Sequence, residues 1–269
     1  MTYRDIIVDA TPRDDLVQAL EQARDLAATF DARLTAVCFA WPRTSALRTA
    51  VTSSPLSVLE DTRKMDAALA GAHDAFLRVF GSGSKAAAWV SGLAEPAPLL
   101  RQHLLAADLL VTSSPPPTAC VLANPGELAI HGGGPVLRLG QNVAGRSFAN
   151  AVIGWKDAPQ ARRALHDALP LLRRARTVTV VGVGDEVEQD RLEEVAAHLK
   201  RHEVTTAVSH IPATVGTAGA ADLLAEARRL GADLIVTGAF GRGPLAQRLW
   251  GGMTSGLQQD ADLSWLMSH

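Results

Sequence analysis

The sequence predicts an α/β protein made of two tandem doubly wound domains, each with a five-stranded parallel sheet. Three observations predict it. The hexapeptide Ala107–Thr112, ADLLVT, returns as Ala232–Thr237, ADLIVT. The segment Asp5–Pro12, DIIVDATP, is paralleled by Val152–Pro159, VIGWKDAP. Between these landmarks short apolar runs alternate with amphipathic ones, as parallel strands covered on both faces by helices do.

Taken in chain order, strands are expected in the first copy at Arg4–Val8, Leu34–Phe39, Ala86–Val90, Leu109–Thr112 and Val136–Leu139. In the second copy they are expected at Ala151–Trp155, Thr177–Val183, Thr205–His210, Leu234–Thr237 and Trp265–Met267. The first helix of the first copy places Leu16, Leu20, Ala23 and Ala27 on one face. That of the second copy places Ala161, Leu165, Ala168 and Leu172 likewise, both with the spacing of a buried helical stripe. The two starts lie farther apart than the two hexapeptides, so the first copy holds about 22 extra residues. These fall between Trp41 and Arg63, with a helical excursion expected from Val58. Pairing Pro12 with Pro159 sets Asp9 of the first copy against Lys156 of the second. The polar, Gly-containing stretch Gly140–Ser147 divides the chain into domains 1–145 and 146–269.

Composition narrows the function classes. Of 269 residues, 47% are hydrophobic, enough for sizeable cores, and 26 basic against 28 acidic side chains leave a net charge of -2. Nothing in that balance calls for a nucleic acid or an anionic membrane as partner. Two cysteines, Cys38 and Cys120, stand outside any metal-ligand or CxxC spacing. No window approaches the roughly 20 apolar residues that span a bilayer, and the start is not a secretory signal. A soluble, cytoplasmic protein is expected.

The richest chemistry follows the fourth strand of the second copy, in GAFGRGPLAQRLWGGMTSGL. Gly238 and Gly241 let the backbone leave the strand close to a ligand. Gly251 and Gly252 open the next expected helix, where free N–H groups and the helix dipole favour an anion. Met253 follows, Thr254 and Ser255 add hydroxyls, and Arg242 and Arg248 supply cations for phosphate oxygens. The same residues serve equally as turns and a helix cap, and both readings stand at this point. The corresponding loop of the first copy, SSPPPTACVLANPGELAIHGGG, replaces the first glycines by Ser113 and Ser114 and adds three prolines, which remove N–H donors.

These segments resemble the universal stress protein family in its tandem form. Nucleotide-binding members of that family carry G-x2-G-x9-G followed by Ser or Thr. Gly238, Gly241 and Gly251 match, Gly252 departs at the hydroxyl position, and Thr254 supplies a hydroxyl two places later. The resemblance implies an adenine nucleotide alpha hydrolase-like fold, with the two copies packed as a pseudo-dimer through their last strands. It leaves further homodimerisation open. It also implies a site for ATP, with or without Mg. The first-strand loop (Trp155, Lys156), the backbone of Val181 and Val183, Thr237 and the glycine loop would form that site. An acid after the first strand holds the ribose in the family; the first copy has it as Asp9. Lys156 is either a phosphate ligand or a surface lysine.

No GxxxxGK[ST] or GxSxG motif occurs, and no paired carboxylates flank the loop. No catalytic residue or metal ligand is therefore assigned, and ATP turnover is expected to be slow at most. The leading expectation is a stress-responsive protein that binds an adenine nucleotide in its C-terminal domain as a switch or sensor. The alternative is a nucleotide-independent interaction protein that works through its pseudo-dimer surface.

Overall fold

The computed structural model describes residues 2–43, 55–83, 86–113, 118–140, 148–185, 187–214, 219–239 and 263–269. The chain forms two compact units, Tyr3–Leu128 and, chiefly, Ala129–His269.

The N-terminal unit runs β1 (Asp5–Asp9), α1 (Leu16–Phe30), β2 (Arg33–Ala40), α2 (Pro55–Phe80), β3 (Ala87–Leu93), α3 (Pro96–Leu104) and β4 (Leu109–Ser113). Its strands lie in the order β3-β2-β1-β4 and every pairing is parallel. The order reverses between β1 and β4, the place where doubly wound sheets hold ligands. α1 buries Leu16, Leu20, Ala23 and Ala27 as the spacing predicts, and adds Ala19, Leu26 and Phe30 to the same face. The helix expected from Val58 is present as α2, which begins at Pro55, and residues 44–54 of the expected insertion lie outside the described residues.

A short helix, α4 (Pro125–His131), leads through a left-handed Gly133 to β5 (Val136–Leu139). The elements β6 (Asn150–Gly154), α5 (Pro159–Leu172), β7 (Thr177–Val183), α6 (Gln189–Arg201), β8 (Thr206–Ile211), α7 (Gly219–Arg229), β9 (Leu234–Gly238) and β10 (Ser264–Ser268) follow. The C-terminal unit orders its strands β5-β10-β9-β6-β7-β8. All pairs are parallel except β5 with β10, the last strands of the two repeats, which run antiparallel with Leu137 opposite Leu266. Arg138, buried on β5, donates to the Leu263 carbonyl at 2.5 Å, and Ser264 accepts from the Gly140 N–H at 3.1 Å. Every strand expected from the sequence is present, with ends displaced by three residues at most.

The recurring hexapeptide has a concrete task. Asp108 accepts from the N–H groups of Arg4 and Asp5 at 2.6 and 2.9 Å. Asp233 accepts from Ala149 and Asn150 at 2.9 and 3.0 Å. Each carboxylate thus satisfies two orphan donors at the start of the first strand of its repeat. The strand register extends this equivalence. Ile6, Ile7 and Val8 face Leu109, Leu110 and Val111, as Ala151, Val152 and Ile153 face Leu234, Ile235 and Val236. Asp9 therefore corresponds to Gly154, not to Lys156. Aligning the prolines misplaces it because the loop into the first helix has six residues in the first repeat (10–15) and four in the second (155–158).

Both cysteines are buried free thiols. Cys120 Sγ lies 3.8 Å from Met65 Sδ. Burial, with Asp9 nearby, pushes the Cys38 thiol up to about 12, and burial raises Cys120 as well. A thiol kept protonated is a poor nucleophile. Neither cysteine of the native chain should react with a thiol-specific reagent at about pH 8, and both should label once the chain is unfolded. Rapid labelling of the native protein would show that the N-terminal core opens.

Candidate functional site

The carboxyl end of β1 carries Asp9, the acid that the family resemblance singles out. It is enclosed by its own loop. Asp9 Oδ1 accepts from the Thr11 N–H at 3.0 Å and lies 3.4 Å from Arg13 Nη1, while Oδ2 accepts from the Thr112 hydroxyl at 2.9 Å. Arg13 also donates through Nη2 to the Asp9 carbonyl at 2.7 Å, through Nη1 to the Thr11 carbonyl at 3.2 Å and through Nε to Asp15 at 3.0 Å. The side chains of Arg13 and Asp9 are 1% and 3% exposed. Each charge is compensated within four residues of sequence, and the acid is held by its own loop and closed to solvent. Sequence reasoning missed Arg13. The readable signal was an arginine four places after the acid, at the mouth of a loop with two further acids.

In the C-terminal unit the matching crevice lies between β6 and β9. At the place of Asp9 stands Gly154, which presents no side chain. A Cβ there would meet Leu223 Cδ2 of α7 at 2.6 Å and the Thr237 methyl at 3.1 Å, so apolar atoms fill the space that the carboxylate takes in the first unit. The Thr237 hydroxyl accepts from the Trp265 indole at 2.8 Å. Val181 is fully buried and its carbonyl accepts from the Trp155 N–H at 2.8 Å. β7 continues for two residues beyond that last partner on β6, to Val183. The atoms nearest Gly154, those of Leu223 and the Thr237 methyl, are apolar.

After β6 the backbone passes through Trp155, Lys156 and Asp157. The Trp155 indole donates to Asp157 Oδ1 at 2.9 Å, and Arg191 of α6 donates to Asp157 Oδ2 at 3.1 Å. Asp157 is thus committed to its neighbours, and Lys156 is the half-buried cation of this loop. The predicted residues Trp155, Lys156, Val181, Val183, Thr237 and Gly238 all lie at the carboxyl ends of β6, β7 and β9. Gly241, Arg242, Gly251, Gly252, Met253 and Thr254 lie outside the described residues.

Gly238 has a packing duty that spacing alone does not reveal. A Cβ would come within 2.6 to 2.7 Å of the backbone of Gln160 and Ala161, in the first turn of α5. The four-residue loop after β6 draws that turn onto the end of β9, and only a residue without a side chain admits it. The equivalent of Gly238 in the first repeat is Ser113, where a six-residue loop precedes α1.

Residues 148–269 match the universal stress protein family. No curated protein matches the chain. Among solved structures, a universal stress protein from Archaeoglobus fulgidus DSM 4304 aligns over 99% of this chain and 96% of its own, with a TM-score of 0.69 at 12% identity. A functionally unknown protein from Pseudomonas aeruginosa PAO1 aligns over 99% and 92%, with a TM-score of 0.59 at 13% identity. At such identities the likeness is one of fold, and it spans both units.

Two stability measurements check the geometry. Arg13→Ala leaves a buried carboxylate unpaired and should lower unfolding stability by about 3–5 kcal/mol in denaturant melts. A loss under about 1 kcal/mol would mean that water reaches Asp9. Gly238→Ala should cost about 1–3 kcal/mol through overpacking against α5.

Proposed function

We propose that this chain, whose residues 148–269 match the universal stress protein family, binds ATP or a related adenine nucleotide in its C-terminal unit and uses the bound state as a switch or sensor. The observation that carries the reading is the contrast between the ends of β1 and β6. In the N-terminal unit the crevice is closed by a neutralised Asp9–Arg13 pair. In the C-terminal unit Gly154 leaves it uncharged, with apolar walls and with Lys156 two residues on. An apolar slot beside a cation and a helix start suits a flat base joined to a polyphosphate. In this reading Val181 and Val183 flank the adenine, and Lys156 with Arg242 meets the phosphates. Gly238, Gly241, Gly251, Gly252, Met253 and Thr254 supply backbone N–H groups and a hydroxyl around them. Gly154 in place of an acid removes the usual ribose contact, so affinity rests on the phosphate end.

The second reading, a nucleotide-independent interaction protein, is favoured by Leu223 over Gly154 and by the Thr237 hydroxyl engaged with Trp265. Both features reduce the room at the base end of the crevice.

Equilibrium binding of labelled ATP to the full chain separates the two. The wild type should bind, and Gly241→Val should weaken binding by about tenfold or more. Lys156→Ala should weaken it by about three- to tenfold, and less as salt rises. Absence of binding by the wild type at about millimolar ATP would remove the nucleotide reading in favour of the second.

A further inference from the structure

Three imidazoles meet between α5 and α6. His166 comes from α5, His198 from the last turn of α6, and His202 caps that helix. Their ring centroids are 5.3 Å apart for His166–His198, 5.7 Å for His166–His202 and 4.7 Å for His198–His202. Nε2 of His166 is buried without a hydrogen-bond partner.

We propose that His166, His198 and His202 form a proton-operated latch between α5 and α6, loosened when His166 and His198 take up protons. At centroid separations near 5 Å, two charged imidazoles repel strongly unless an acid stands between them. None does. The charged groups acting on the rings are Arg162 of α5 and Arg201 of α6, both cations. Asp167, the neighbour of His166, faces Ser268 of β10 instead. Glu203, the neighbour of His202, pairs with Arg173 at 3.9 Å, and Arg173 Nε donates to the His202 carbonyl at 2.9 Å. Among the described residues no three side chains stand ready to hold a metal ion, and two guanidiniums beside the rings disfavour one. The proton is therefore the ligand.

The electrostatics agree with the geometry. Burial, then Arg162 and His202, hold His166 below its ordinary value of 6.5. Burial, then His202, His166 and the two arginines, do the same for His198. Burial and the neighbouring cations disfavour protonation of His166 and His198 in the folded chain, whereas these residues in the unfolded chain take up protons from about pH 6.5 downward. Stability contributed by the cluster is therefore full above that value and is lost as pH falls through the depressed native values.

Two measurements on the full chain decide the proposal. Ring resonances followed by NMR should give midpoints below 6.5 for His166 and His198; midpoints at or above the ordinary value would overturn it. Amide protection factors in α6 should fall by about tenfold between about pH 7.5 and about pH 5.5, while those of α7 hold. A double substitution, His198→Gln with His202→Gln, should cut that fall to about threefold or less. An equal fall in the substituted protein would show that the acid sensitivity lies elsewhere and would likewise overturn the latch. The ring titration needs only the wild-type chain, so it decides even if the variant fails to fold.

Discussion

A carboxylate buried at the end of a first strand must be neutralised, and the source of the cation decides what the crevice can hold. In the N-terminal unit the source is internal. Arg13 folds back over Asp9, and Thr11 and Thr112 donate to its two oxygens. Both side chains are closed to solvent, Arg13 at 1% and Asp9 at 3% exposure. Removing either partner strands the other in a medium that solvates it poorly, which gives the pair a strong hold on the loop. The C-terminal unit has shed the carboxylate altogether. Gly154 needs no counter-charge, and Leu223 and the Thr237 methyl close over it. The two repeats therefore solve the same local problem in opposite ways, one by pairing and one by deletion.

The frames around these crevices are nevertheless alike. Asp108 and Asp233 anchor the first strands by the same two N–H bonds, and Thr112 and Thr237 occupy the same register position on β4 and β9. Even the threonines have been rewired. Thr112 donates to Asp9, and Thr237 accepts from Trp265. A hydroxyl that can serve as donor or acceptor lets one position be kept while its partner changes.

The fold was legible because its signals are periodic. Leu16, Leu20, Ala23 and Ala27 report a helical face whatever loops surround them, and ADLLVT and ADLIVT mark equivalent strands because each aspartate has a backbone to hold. The site was less legible because it depends on loop length. The matched prolines suggested Asp9 opposite Lys156, whereas hydrogen-bond register puts Gly154 there. Two residues of loop displaced the comparison without disturbing either strand. The neutralisation of Asp9 by Arg13 was likewise hidden. A charge run of Arg13, Asp14 and Asp15 reads as solvated surface until the chain is seen to turn back over the strand end.

Gly238 shows how far a glycine motif can be read. Its spacing to Gly241 and Gly251 fits a phosphate loop, yet its own missing Cβ is already accounted for by Gln160 and Ala161 of α5. The four-residue loop after β6 and the glycine at the end of β9 require each other. A longer loop, as after β1, accompanies Ser113. Close packing alone is thus enough to hold a glycine at position 238. A residue whose form the core does not dictate says more about a ligand, and in the proposed reading that residue is Lys156. It follows β6 in a loop whose one acid, Asp157, is occupied by Trp155 and Arg191. Lys156 brings a cation to the carboxyl end of β6, where the proposed reading sets the phosphates.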